Sequence, residues 1–166
     1  GPTANEEDLV KYAFALFLNH DFAKSLEVAN MGLKKNPRHA AFNRLAMYNN
    51  TDLKRFEEAL KAADVFFNEC DKADYSYLDY MYYGHLLEEL KKYDEAVGQY
   101  EKAVELDPTK TDLYKNISSV YEQKNDYKKA IGAYHKYYSY LEKEKQTPDL
   151  QLELGRLYYG AGTQPD

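Results

Sequence analysis

The chain has 166 residues, 22 Lys and Arg against 28 Asp and Glu for a formal net charge of −6, one cysteine, no tryptophan and 18 tyrosines. A lone cysteine excludes an internal disulfide framework and a cysteine zinc cluster. The acidic balance without a Lys/Arg block argues against binding to a phosphate backbone, and no apolar run approaches the length that spans a bilayer.

In chain order, the apolar spacing predicts nine helices and no strands, near 6–19, 22–35, 39–51, 55–71, 75–90, 93–105, 110–124, 127–144 and 148–160. Eight glycines and five prolines are too few for a chain of tight β turns. Asp21 and Asp126 stand where a side chain would cap a helix start. Thr147-Pro148 reads as an N-cap followed by a first-turn proline.

The helices repeat in pairs. Phe22-Ala23-Lys24-Ser25-Leu26, Phe56-Glu57-Glu58-Ala59-Leu60, Tyr93-Asp94-Glu95-Ala96-Val97 and Tyr127-Lys128-Lys129-Ala130-Ile131 share one frame. The first two and the last two of these are equally spaced, and the middle interval is slightly longer. Pro37 and Pro108 close the first and third copies at the same offset. Within the copy 77–110, Tyr80, Tyr83-Gly84 and Leu87 occupy one helix, and Ala96, Tyr100, Ala103 and Pro108 the next. This pattern resembles the tetratricopeptide repeat (TPR) family, whose unit is a helix–turn–helix of about 34 residues. The resemblance covers 6–39, 40–73, 77–110, 111–144 and a partial copy 148–160. It implies an all-α, right-handed solenoid of antiparallel helix pairs and a single domain over residues 1–166. Small residues at Ala59, Ala96 and Ala130 are expected where helix backbones approach closely.

A longer period lies inside the short one. Copies start at 6, 40, 77, 111 and 148, so the step from 6 to 77 recurs from 40 to 111 and from 77 to 148. The second and fourth copies carry three extra residues, Asp74-Tyr75-Ser76 and Lys145-Gln146-Thr147. Three residues are close to one helical turn, which predicts that the second helices of those copies run about one turn longer.

Chemistry is sparse. His20, His39, His85 and His135 lie in no metal-ligand spacing. Cys70 sits between Glu69 and Asp71, which oppose a thiolate. The glycines form no phosphate-cradling loop, and the paired carboxylates, such as Glu88 with Lys92 at i,i+4, read as solvated helix faces. The reading is therefore a non-enzyme without cofactor, nucleic-acid partner or membrane insertion.

In the family the first helices of successive repeats line a concave groove that holds a peptide or protein segment. Carried over, the groove positions are Val10, Phe14 and Phe17 beside Leu18, then Arg44 and Tyr48, then Leu78, Met81, His85 and Glu88, then Lys115, Ser119 and Glu122. Phe14, Phe17 and Leu18 have packing within the repeats as their competing role. The family's carboxylate clamp of Lys, Asn and Arg is unsupported: Val10 and Phe14 stand at the clamp's Lys and Asn positions, and Lys115-Asn116 occurs only in the fourth copy. The partner is an unidentified protein or peptide. The competing functions are a spacer or self-association module acting through the partial fifth copy, and a regulatory segment of an enzyme. Gly1-Pro2 at the start and an unpaired last helix lead to the expectation of a fragment of a longer protein, in the cytoplasm or, after loss of a signal peptide, in the periplasm or outside the cell. Most tyrosines, Tyr12, Tyr100, Tyr134 and Tyr158 among them, fall on expected packing positions, which leaves Tyr48, Tyr82 and Tyr159 for a partner.

Overall fold

The computed structural model describes residues 4–70 and 74–163. Among them are nine α-helices and no strand: α1 (Ala4–Leu18), α2 (Phe22–Lys35), α3 (Ala40–Asp52), α4 (Phe56–Asn68), α5 (Tyr77–Glu89), α6 (Tyr93–Leu106), α7 (Leu113–Gln123), α8 (Tyr127–Tyr140) and α9 (Pro148–Gly162). The expected helix 55–71 and the copy 40–73 both extend into residues outside those described.

Each helix pair is joined by the same turn. His20, Lys54, Lys91 and Asn125 adopt φ of 63°, 61°, 61° and 65°, one per turn. A left-handed residue just past a helix end lets the chain bond back to the last free carbonyls. Asp21 N, Arg55 N and Asp126 N accordingly donate to Leu16 O, Asn50 O and Tyr121 O at 2.9, 2.7 and 2.8 Å. Asp21 and Asp126 then start the next helix as expected, accepting from Lys24 N and Lys129 N at 3.3 and 3.2 Å. Thr147 holds the N-cap position of α9 with Pro148 in the first turn, but its hydroxyl makes no capping bond. Ser76 N donates to Asp79 Oδ2 at 2.9 Å at the start of α5, half of a capping box that the sequence reading did not anticipate.

Two compact units divide the chain, residues 1–75 with 85–90, and residues 76–84 with 91–166. In the first unit α1 packs on α2 and α3, α2 on α3, and α3 on α4. Phe17, Leu26, Phe42, Leu45, Met47, Tyr48 and Phe66 form its interior. In the second unit α6 packs on α7, α7 on α8 and α8 on α9. Tyr100, Ile117, Val120, Tyr134 and Leu157 are buried there.

The small residues lie where the pattern places them: Ala59, Ala96 and Ala130 are fully buried. Two of the close approaches carry a hydroxyl. Ser25 Oγ of α2 donates to Ala13 O of α1 at 2.6 Å. Ser118 Oγ of α7 donates to Ala130 O of α8 at 2.7 Å. The same Ser/Ala pair is thus used twice, with the hydroxyl on opposite helices. The backbones come close enough for a two-atom side chain to reach the neighbouring carbonyl. Gly32, Gly160 and Gly84 take the tightest places: a Cβ on Gly32 would lie 2.2 Å from the Phe42 ring, one on Gly160 2.6 Å from the Tyr127 ring and one on Gly84 2.8 Å from the Tyr100 ring.

The expectation of longer second helices in the second and fourth copies is overturned. Helices α2, α4, α6 and α8 have 14, 13, 14 and 14 residues. The extra residues lie in the connections. Leu141 leaves α8 with ψ of 140°, and a short 3-10 turn follows at Lys143–Lys145. Gln146 Nε2 folds back to donate to Tyr138 O and Leu141 O at 3.1 and 3.2 Å. In the first unit Tyr75 Oη donates to Phe67 O at 3.2 Å, and its ring packs on Phe66 and Phe67 at 5.5 and 5.2 Å. Side chains from the extra residues thus satisfy carbonyls at the helix ends, so another turn of helix is not needed to do so.

Candidate functional site

The groove positions carried over from the family separate into buried and accessible ones. In the first unit, Tyr48 is 1% exposed and Phe17 9%. Their rings pack at 5.4 Å, and Phe22 lies against Phe17 at 5.9 Å. Both are therefore core residues, which corrects their assignment to a partner-facing groove. The reason is that α1 lies against α2 and α3, so the apolar face of α1 turns inward. Arg44 is committed as well: its Nη2 donates to Asp74 O at 2.7 Å and its guanidinium lies 4.9 Å from the Phe66 ring centroid. It braces α3 against α4 and the following connection. Phe14 (42%) and Leu18 (60%) remain exposed, with Phe14 stacked on the edge of the core at 6.1 Å from Phe17. Val10 is half-buried.

On α5, Leu78, Met81 and Glu88 are half-buried and His85 is exposed. His85 Nε2 lies 4.0 Å from Glu89 Oε1, a loose exposed pair one turn apart.

In the second unit the structure brings Lys115, Ser119 and Glu122 together along one face of α7. They share a cavity of about 220 Å³ with Glu153 and Arg156 of α9, and the buried Tyr134 of α8 forms part of its lining. Arg156 bridges the two helices: its Nη2 donates to Glu122 Oε2 at 2.7 Å and to Glu153 Oε1 at 2.5 Å, and its Nε to Glu153 Oε2 at 3.2 Å. The hydrogen bonds from Arg156 hold the Glu153 carboxyl below the usual carboxylate range, and the two glutamates hold Arg156 firmly protonated. Lys115 faces no carboxylate within ion-pair distance among the described residues; its Nζ lies 5.7 Å from the Tyr137 ring. Tyr134 is 2% exposed, and its hydroxyl oxygen has no hydrogen-bond partner. Burial, then the Glu153 charge, raises the Tyr134 pKa, so the phenol stays protonated as a donor.

Glu153, Arg156 and Tyr134 were missed by sequence reasoning. A signal for Arg156 existed: it follows Ser119 by the same interval that separates the starts of the fourth and fifth copies, 111 and 148. Tyr134 was read as packing, which it is, and its hydroxyl is buried without a partner. The tyrosine assignments need two changes besides Tyr48: Tyr12 and Tyr158, read as packing, are 49% and 52% exposed. Among the described residues no helix is long and apolar enough to cross a membrane.

The pairing of helices, their shared left-handed turns and the small residues between them define a class: an all-α protein of TPR-type helix pairs. Residues 84–125 match the family model described as TPR repeat, a type of repeat that generally mediates protein–protein interaction. The fold is shared with the C-terminal part of a TPR repeat-containing protein from Cytophaga hutchinsonii, at a TM-score of 0.78 and 26% identity over 92% of this chain and 58% of that one. MamA from Desulfovibrio magneticus RS-1 is similar at a TM-score of 0.72 and 20% identity, over 86% of this chain and 78% of that one. YrrB, described as a TPR protein with an unusual peptide-binding site, is similar at 0.74 and 14%, over 94% and 77%. No curated protein matches the chain.

Proposed function

We propose that this chain is a non-catalytic interaction module that holds a peptide or protein segment on the face built by α7 and α9. The observation that supports this reading is the cavity lined by Lys115, Ser119, Glu122, Glu153 and Arg156, where charged and polar groups of two helices converge. YrrB is described as peptide-binding, which is consistent with such a use of the fold.

The test is affinity capture with the chain and with a Lys115→Ala, Glu122→Ala, Arg156→Ala variant, followed by identification of the recovered proteins. The expected result is loss of a specific partner at unchanged far-UV helicity. Equal recovery by both proteins would remove this face from consideration.

A second reading, self-association, is favoured by α9, where Leu152 and Tyr159 are 72% and 77% exposed. Light scattering of the chain and of a Leu152→Asp, Tyr159→Asp variant separates the two readings. A monomer in both proteins excludes self-association through α9.

A further inference from the structure

We infer that the second unit carries another docking surface, a groove between α6 and α8 floored by α7, and that it takes an amphipathic helix of a partner protein with acidic and basic flanks. The inference is independent of the α7–α9 face.

The groove has a volume of about 540 Å³. Its counterpart in the first unit, between α2 and α4 over α3, has about 560 Å³. All but one of the lining positions in the second unit, Glu105 being the exception, fall one long period after a lining position in the first. The long period seen in the sequence thus builds the same surface twice, and the two copies differ in chemistry. In the first unit the floor is polar, with Asn43 and Asn50 on either side of Ala46. In the second unit the same three positions are Tyr114, Ile117 and Tyr121. Lys61 of the first groove is replaced by Gly132, where an added Cβ would meet nothing within 4 Å. Gly132 therefore answers no packing need, and the position that carries the Lys61 side chain at the first groove carries none at the second.

The rims carry opposite charge. Glu101 and Glu105 stand on α6, and Lys129 and Lys136 on α8. None of the four has an ion-pair partner among the described residues. Each lysine instead rests over a floor ring, Lys129 Nζ 5.6 Å from the Tyr121 centroid and Lys136 Nζ 5.5 Å from that of Tyr114. The two rims do not pair with each other across the floor. An apolar floor between unpaired acidic and basic rims suits a helix with one apolar ridge, acidic side chains toward α8 and basic ones toward α6. Lys129 and Lys136 are seven residues apart, roughly 10.5 Å along the axis, which matches acidic side chains two turns apart on the incoming helix.

The test uses two fluorescein-labelled synthetic helices with the same leucine ridge, read by anisotropy. The bipolar helix has Glu on one flank and Lys on the other; the basic helix has Lys on both. Because a helix can enter a groove in either direction, the design needs only the pair of flank signs. The chain is expected to bind the bipolar helix at least tenfold more tightly than the basic one. Lys129→Glu with Lys136→Glu makes both rims acidic and is expected to invert the preference. Gly132→Trp fills the groove without touching the core and is expected to weaken the bipolar helix at least tenfold. Lys61→Trp, at the equivalent place in the first unit, is expected to leave it unchanged. Absence of bipolar binding, a preference that survives the charge reversal, or equal effects of Gly132→Trp and Lys61→Trp would overturn the inference.

Discussion

Gly32→Ala isolates the close approach between α2 and α3. The new Cβ would lie 2.2 Å from Phe42 Cε2 and 2.5 Å from Cδ2 and Cζ. Carbon atoms rest at about 3.5–4.0 Å, so the ring must retreat by more than about 1 Å. It has little room: Phe42 is fully buried, and the His39 ring lies 4.5 Å from it. Overpacking of this kind costs about 1–3 kcal/mol. Alanine is better than glycine inside a helix by about 1 kcal/mol, which offsets part of that cost. A clash so short belongs at the upper end of the range, and the net destabilisation should be about 2 kcal/mol. For a chain of this size that lowers Tm by about 4–8 °C. Gly98→Ala is the internal contrast, because a Cβ there meets nothing within 4 Å. Only the propensity gain operates, so Gly98→Ala should raise Tm by a few degrees. Thermal unfolding followed by circular dichroism reads both. Phe42→Leu in the Gly32→Ala background should recover part of the loss. If Gly32→Ala and Gly98→Ala move Tm in the same direction, the close approach does not limit this packing.

The four left-handed turn residues give a second expectation. His20→Gly, Lys54→Gly and Lys91→Gly should each stabilise the chain by up to about 1 kcal/mol, and Asn125→Gly by less, because asparagine tolerates that backbone region better. Urea midpoints check this, and a loss at any of the three would contradict the turn assignment. Ser25→Ala should cost more than Ser118→Ala. Ser25 Oγ also accepts from Asn49 Nδ2 at 2.8 Å, so its removal strands a buried amide as well as Ala13 O. The expected losses are about 2 and about 1 kcal/mol. Glu153 should contribute to acid sensitivity. Its folded-state pKa lies below the ordinary 4.5, because Arg156 hydrogen-bonds the carboxylate. That stabilisation is complete above 4.5 and fades as pH falls through the folded value. The Tm difference between the chain and an Arg156→Leu variant should therefore be constant near neutral pH and shrink under acid conditions. A difference that grows with acid would refute the pairing.

Local rules and a fixed period were enough to read the helices. Asp21 and Asp126 mark helix starts through their own side chains, and Ala59, Ala96 and Ala130 mark the close approaches through their size. These signals act within one turn or between adjacent helices, which is why α2 begins and ends at Phe22 and Lys35 as expected. The extra residues of the second and fourth copies were visible, but their destination was not. Three residues suit one more turn of helix as well as a connection, and the choice falls to Gln146 and Tyr75, whose partners lie on the preceding helix.

The candidate site was legible only in part, for the same reason. A repeat frame says which side chains share a face of a helix, and it brought Lys115, Ser119 and Glu122 onto one face of α7. It does not say how far the next helix covers that face. Tyr48 and Phe17 stand at groove positions and are buried against each other, while Phe14, one turn from Phe17, stays exposed. Arg156 closes a bridge between α7 and α9 that needs both helices in place, and Tyr134 is buried in a cluster with Leu157 of α9. Composition, charge and period determine that this chain forms helix pairs, where the pairs turn, and that the copies recur with a longer period of two. Tertiary structure alone decides which of two equivalent positions is core and which is surface, because burial depends on the distance between helices that are not neighbours in sequence.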